Sequence, residues 1–152
     1  MIGFNIHKSS PSHIEKINSL CTLLKKGTKE YEKLSGSITN KEIRNTVLTL
    51  AQESNQYACE LYSQVLTLGG TPQKTHAVEP ESDIDCTIAD NENKLLSFCS
   101  TAEKKMVSAY HEVLNESFLN EGLRKMIRYQ LNGILCSFMQ LKLLNSLIIK
   151  MY

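Results

Sequence analysis

Two glutamates, Glu53 and Glu103, stand where a helical protein would place reactive carboxylates. Glu103 falls four residues after Cys99 and three before Met106; Glu53 falls three after Leu50 and four before Tyr57. Residues three and four apart share one face of a helix, so both carboxylates are expected on the inward side. A carboxylate there costs free energy unless it is hydrogen-bonded, paired or bound to a metal. Tyr31, Tyr57, Tyr110 and Gln130 are further polar groups on inward stripes. Such a set can form a buried hydrogen-bond network sharing a proton or ligate metal ions; in a third reading both glutamates point partly into solvent and carry no role.

A carboxylate-bridged di-iron or di-manganese centre takes one Glu from each of two helices and Glu-x-x-His from each of the other two. This chain offers Glu53-Ser54-Asn55-Gln56 and Gln130-Leu131-Asn132-Gly133, so Gln56 and Gly133 stand where histidines would be and Gln130 where a glutamate would be. Carboxylates with neutral amides are a poor donor set for two transition-metal ions. His7 and His13 belong to the N-terminal arm and first turn, His76 to a connection, and His111 to a helix flank. No serine or cysteine has a triad context, and no glycine-rich phosphate loop occurs. The expectation is therefore a buried polar layer of Glu53, Glu103, Gln130, Tyr31, Tyr57 and Tyr110, with no catalytic residue and no cofactor. The alternative is a metal-binding or di-metal oxidoreductase protein with a reduced carboxylate site: iron or manganese on Glu53 and Glu103, with Glu60 or Tyr31 as a supplementary ligand.

The elements that must position these groups are readable from periodicity. After Pro11, Ser12 and Glu15 form a capping box, and Ile14, Ile17, Leu20, Leu24, Gly27, Tyr31 and Leu34 recur at helical spacing. Gly36 is a suitable stop, and Thr39 with Glu42 forms a second capping box. Ile43, Val47, Leu50, Tyr57, Leu61, Val65 and Leu68 make the next stripe, ended by Gly69-Gly70-Thr71-Pro72. Leu95, Leu96, Cys99, Ala102, Met106, Tyr110 and Val113 follow. Asn120 can cap a last helix whose stripe is Leu123, Ile127, Gln130, Ile134, Ser137, Leu141, Leu144 and Ile148. These spacings predict helices over about 12–35, 40–68, 91–115 and 121–150 in one domain, with no strand.

Short gaps make consecutive helices antiparallel neighbours, whereas 69–90, rich in Thr, Pro and acidic residues, is long enough to return the chain to the other end. A connection of about 20 residues reaches roughly 65 Å, and a helix of about 30 residues spans roughly 45 Å. The fold expected is all-α: an antiparallel four-helix bundle of two hairpins joined by a long crossover, the ferritin-like topology. The second and third helices are then parallel, and counting from their starts sets Glu53 and Glu103 in one layer. Cys21 to Leu24 would lie beside Glu53, and Gln130 to Ile134 beside Glu103.

Composition narrows the partners. Seventeen basic and sixteen acidic side chains give a formal charge of +1, and pairs such as Lys25-Lys26 and Lys104-Lys105 make no basic stripe for nucleic acid. Cys21, Cys59, Cys86, Cys99 and Cys136 form no Cys-x-x-Cys pair, and the odd count fits a reducing cytoplasm rather than a disulfide framework. Met1 to Ser10 carries no apolar signal-peptide region. Residues 141–152 are apolar but broken by Lys142, Asn145, Ser146 and Lys150, so no membrane span is expected.

Taken together, the chain resembles an uncharacterised bacterial domain-of-unknown-function family of the ferritin-like superfamily. The resemblance rests on Lys26-Gly27 with Tyr31, on Glu53, on Tyr57-Ala58-Cys59-Glu60-Leu61 and on Leu68-Gly69-Gly70-Thr71-Pro72. It continues through Ala102-Glu103, Ala109-Tyr110-His111-Glu112 and the Gln130 region, from about Ile14 to Leu144. It departs from the family at Lys26, at Leu34-Ser35 and near Ser137. It implies a ferritin-like fold and no established activity. The function expected is non-catalytic, through self-association or a protein partner, with a seam among Leu143, Leu147, Ile149, Met151 and Tyr152.

Overall fold

The structure, a computed structural model, describes residues 12–71, 92–117 and 119–151. Four helices fill it: α1 Ser12–Ser35, α2 Lys41–Thr67, α3 Glu92–Leu114 and α4 Glu121–Met151. No strand occurs among the described residues. From Pro72 to Asn91 the expected crossover lies outside the described residues, as do His7, His76, Cys86 and the side chains of Ile149, Met151 and Tyr152.

The helix ends follow local chemistry, with two differences from expectation. Asn40, not Thr39, caps α2: its side-chain oxygen accepts from the Ile43 amide at 3.0 Å, leaving Thr39 one position outside the helix. At the start of α1, the Ser12 hydroxyl donates to the Glu116 carboxylate at 2.7 Å instead of closing a capping box. Asn120 caps α4 as expected, accepting from the Leu123 amide at 2.8 Å. The end of α2 is a Schellman turn: the Gly69 amide donates to Leu66 O at 3.0 Å and the Gly70 amide to Val65 O at 2.9 Å. This turn sets Gly69 at φ 79, a left-handed conformation open to glycine without cost from a β-carbon. Gly70 is needed for space, because a β-carbon there would stand 2.8 Å from Ile14 Cγ2.

The apolar stripes meet in one core. Ile17, Leu20 and Leu24 of α1, Leu61 and Val65 of α2, Val113 of α3, and Ile127, Ile134 and Phe138 of α4 are fully buried. Burying each such side chain is worth about 1.5–3 kcal/mol, which outweighs the modest propensity of the β-branched ones for helix. Leu96, Ala102 and Leu144, expected inside, are only half-buried at the edge. Threonines inside the helices satisfy their hydroxyls by bonding back one turn, as Thr28 does to Leu24 O and Thr46 to Glu42 O.

Each helix packs on two others: α1 on α2 and α3, and α4 on α2 and α3. Among the described residues, α2 and α3 do not approach each other closely, nor do α1 and α4, so these pairs are diagonal. Along every contacting pair, residue numbers rise on one helix as they fall on the other. Cys21 meets Ala58 and Lys25 meets Asn55; Gln130 meets Glu60 and Ser137 meets Glu53. Tyr110 meets Gln130 and Glu103 meets Lys142, while Ser12 meets Glu116 and Tyr31 meets Phe98.

Candidate functional site

Gln130 is the hub of the interior polar groups. It lies on the core stripe of α4, between Ile127 and Ile134, and is fully buried. A primary amide there must fill its donors and acceptor within the protein. Its Oε1 accepts from the hydroxyl of Tyr110, on α3, at 3.0 Å. Its Nε2 donates to Glu60 Oε1 at 2.9 Å and to the Tyr57 carbonyl at 3.3 Å, both on α2. Gln56 Nε2 reaches the other Glu60 oxygen at 3.2 Å, one turn back on α2. One side chain thus ties together three helices, two of which do not touch each other.

Next to this hub, the Tyr57 hydroxyl lies over the bare α-carbon of Gly133, where a β-carbon would overlap the phenol oxygen. Burial, followed by the Glu53 charge, pushes the Tyr57 hydroxyl up to about 12. Burial likewise raises Tyr110, and the charges of Glu60 and Glu53 add to it. Both phenols are held neutral and act as hydrogen-bonding groups rather than as acids.

Glu53 and Glu103 are half-buried. Glu53 accepts from the Ser137 hydroxyl. Glu103 pairs with Lys142 Nζ at 2.6 Å. Ser137 and Lys142 are five residues apart on α4, so the two carboxylates are held about 7.5 Å apart along its axis, on diagonal helices. Ser137 and Lys142 thus supply donors to the two carboxylates, and the Tyr57 hydroxyl also bonds to Glu53. Equal counts from the helix starts placed both in one layer, but those counts assume that α2 and α3 begin level. Tyr110, not Glu103, is the α3 residue level with Tyr57 and Glu60. The α1 neighbours shift too: the Lys25–Asn55 contact puts the stretch beside Glu53 a turn beyond Cys21 to Leu24.

Tyr31 is buried elsewhere. It packs edge-on against Phe98 and Phe138, each with ring centroids 6.3 Å away, and leans over Gly27. The α1 residue level with Tyr57 is near Leu23, so Tyr31 lies about 12 Å further along α1. Burial raises its hydroxyl, and the Glu30 charge adds to the shift.

Three groups were not picked out by periodicity. Gly133, which the sequence marks only as a missing histidine, is the seat of Tyr57, and an isolated glycine inside a strong helical pattern is the signal for such a close approach. Lys142 was read only as an interruption of an apolar run. Ser54, fully buried on α2, has no hydrogen-bond partner for its Oγ among the described residues, and nothing in its spacing set it apart from Ala51 or Ala58.

These residues do not fit a dinuclear metal centre. Glu53, Glu60 and Glu103 are each taken by protein donors, Gln56 supports Glu60, and the Tyr57 hydroxyl fills the space above Gly133 where an imidazole would project. Among the described residues, no three His, Cys, Asp or Glu side chains converge on one point. No helix is long and apolar enough to cross a membrane.

The chain belongs to the family Domain of unknown function (DUF2383), whose model matches residues 12–116. That match takes in α1, α2 and α3 and stops before α4, short of the stretch from about Ile14 to Leu144 over which the resemblance was read. Neither a curated protein nor a solved structure matches the chain.

Proposed function

We propose that this chain is a non-catalytic cytoplasmic protein of the ferritin-like superfamily that works by binding protein, a second copy of itself or another chain, through the outer face of α4. The topology in this reading is a single antiparallel four-helix bundle with a long crossover. It is supported by the opposed numbering across all contacting helix pairs and by the diagonal placement of α2 and α3. The cytoplasmic assignment rests on the odd cysteine count and on Cys21, Cys59, Cys99 and Cys136 being free thiols.

One observation carries the reading. Tyr129 is 71% exposed, Met139 58%, Leu143 59% and Leu147 58%, all on one helix. Exposed apolar side chains scattered singly need no explanation, but a run of them along one helix marks an interaction surface. The interior points the same way, since the polar groups around Gln130 are spent on one another. The reading with iron or manganese on Glu53, Glu103 and Glu60 has no such support, because all three carboxylates are engaged by the protein.

Sedimentation equilibrium of the full chain over a range of concentrations tests this reading. Self-association that disappears in Met139→Ser with Leu143→Ser supports it, as does a monomer that binds a protein ligand only with those residues intact. Stoichiometric iron or manganese, lost in Glu103→Ala with no change in association, would move the protein to the metal-binding reading.

A further inference from the structure

Among the described residues each helix carries one free thiol: Cys21 on α1, Cys59 on α2, Cys99 on α3 and Cys136 on α4. Helix register decides which of them can meet. In an antiparallel pair, a step back along one helix and an equal step on along the other keep two residues level. Lys25 Nζ donates to Asn55 Oδ1 at 3.1 Å across the α1–α2 seam. One turn back on α1 and one turn on along α2, on the same two faces, stand Cys21 and Cys59. The helices are close there, since the Cys21 thiol donates at 3.5 Å to the carbonyl of Ala58, the residue before Cys59.

The other pairings are kept apart by place. A disulfide needs its α-carbons within about 7 Å. α1 does not pack on α4, nor α2 on α3, so Cys21 is diagonal to Cys136 and Cys59 to Cys99. Tyr31 meets Phe98, which sets Cys99 roughly 13 Å along α1 from the level of Cys21. Glu60 meets Gln130 and Glu53 meets Ser137, so Cys136 stands about 7.5 Å along α4 from the level of Cys59. Glu103 meets Lys142, which puts Cys136 about 15 Å from the level of Cys99.

Exposure divides the roles within the level pair. Cys59 is exposed and Cys21 half-buried. Burial pushes the Cys21 thiol up to about 12, so it keeps its proton and is a poor first target for an oxidant. We propose that Cys21 and Cys59 form a peroxide-responsive modification site, at which Cys59 is oxidised and Cys21 closes a disulfide between α1 and α2. The Cys59 thiolate attacks one oxygen of hydrogen peroxide, giving a sulfenic acid and hydroxide, and the hydroxide takes up the proton the thiol has lost. The Cys21 sulfur then attacks the Cys59 sulfur, and its proton leaves with the displaced hydroxide as water. Two thiols and one peroxide give one disulfide and two waters; the sulfurs lose two electrons and the peroxide gains them. The disulfide ties the α1–α2 hairpin covalently and takes the Cys21 proton from the Ala58 carbonyl. Thiol reductants reopen it, as is usual for a disulfide of a reducing compartment.

Treating the folded full chain with hydrogen peroxide, blocking the remaining thiols and mapping fragments by mass spectrometry tests the proposal. The expected product is a chain lighter by two hydrogens, with one internal disulfide joining Cys21 to Cys59 that dithiothreitol reopens. Cys21→Ser should leave Cys59 as a sulfenic acid trapped by dimedone, and Cys59→Ser should leave Cys21 reduced. The unsubstituted chain gives the answer by itself if either variant fails to fold. A disulfide joining any other pair, Cys86 included, overturns the proposal. So does Cys59 oxidised beyond sulfenic acid with Cys21 still reduced, or a chain that peroxide leaves unchanged. A Cys21–Cys59 bond that forms equally fast in urea also overturns it, because the pairing would then owe nothing to the fold.

Discussion

The hydroxyl of Tyr57 rests on the α-carbon of Gly133, in space that any side chain at position 133 would need. The two residues come from α2 and α4, 76 positions apart in the chain, and fit only as a pair. Gly133→Ala should therefore destabilise the fold by about 1–3 kcal/mol through overpacking. With the hydroxyl removed, the nearest Tyr57 atom would be 3.2 Å from the added carbon, a contact that small shifts relieve. Denaturant unfolding should show that Tyr57→Phe with Gly133→Ala is more stable than Gly133→Ala alone. Additive losses would show that the hydroxyl is not what excludes the methyl group.

Gln130 offers a second cycle. Gln130→Leu leaves the buried Tyr110 hydroxyl without its acceptor, at an expected cost of about 1–3 kcal/mol. Adding Tyr110→Phe removes the orphaned group and should restore much of that loss. If Tyr110→Phe with Gln130→Leu is less stable than the single leucine variant, the hydroxyl has found another partner and the hub is not as described.

Alkaline pH should weaken the fold. Burial pushes the Cys21 and Cys99 thiols, and with the Glu53 charge the Tyr57 phenol, up to about 12; Tyr31 and Tyr110 are also raised. All of these groups are anionic when deprotonated, so the fold favours their neutral forms. Their contribution is complete below the unfolded values, 9.0 for Cys and 10.0 for Tyr, and is lost as pH rises toward the folded values. Thermal midpoints should thus be insensitive to these groups near neutrality and fall from about pH 9 upward. Cys21→Ala with Cys99→Ala should delay the onset by about one pH unit; an unchanged onset would clear the thiols.

The end of α2 depends on a glycine conformation. Gly69→Ala puts a β-carbon at φ 79 and should cost about 1–2 kcal/mol, although nothing lies near enough to collide with it. A neutral result in thermal melts would mean that the turn re-forms with another residue in the left-handed position.

The helices and their inward stripes could be read from spacing alone, because a 3.6-residue period and the caps at Asn120 and Gly69 are local signals. The site was less legible. Membership of the inward stripes picked out Gln130, Tyr57 and Tyr110, but not which of them touch. Axial offset between diagonal helices depends on how each hairpin docks, and no local pattern encodes it. That is why Glu103 was placed level with Glu53, whereas Tyr110 is the α3 residue at the hub. Lys142 illustrates the same limit: it reads as a break in an apolar run until Glu103 is seen beside it. The exposed seam on α4 was visible in part as apolar residues late in the helix. Tyr129 and Met139, also exposed, carry no mark in the sequence that they face outward.

The most direct test of the account is methyl NMR of the chain labelled at methionine, with Met139 on the outer face of α4 and Met106 buried on α3. As protein concentration rises, the Met139 methyl signal should shift or broaden while that of Met106 stays in place. A Met139 signal unchanged across that range would contradict self-association through the outer face of α4.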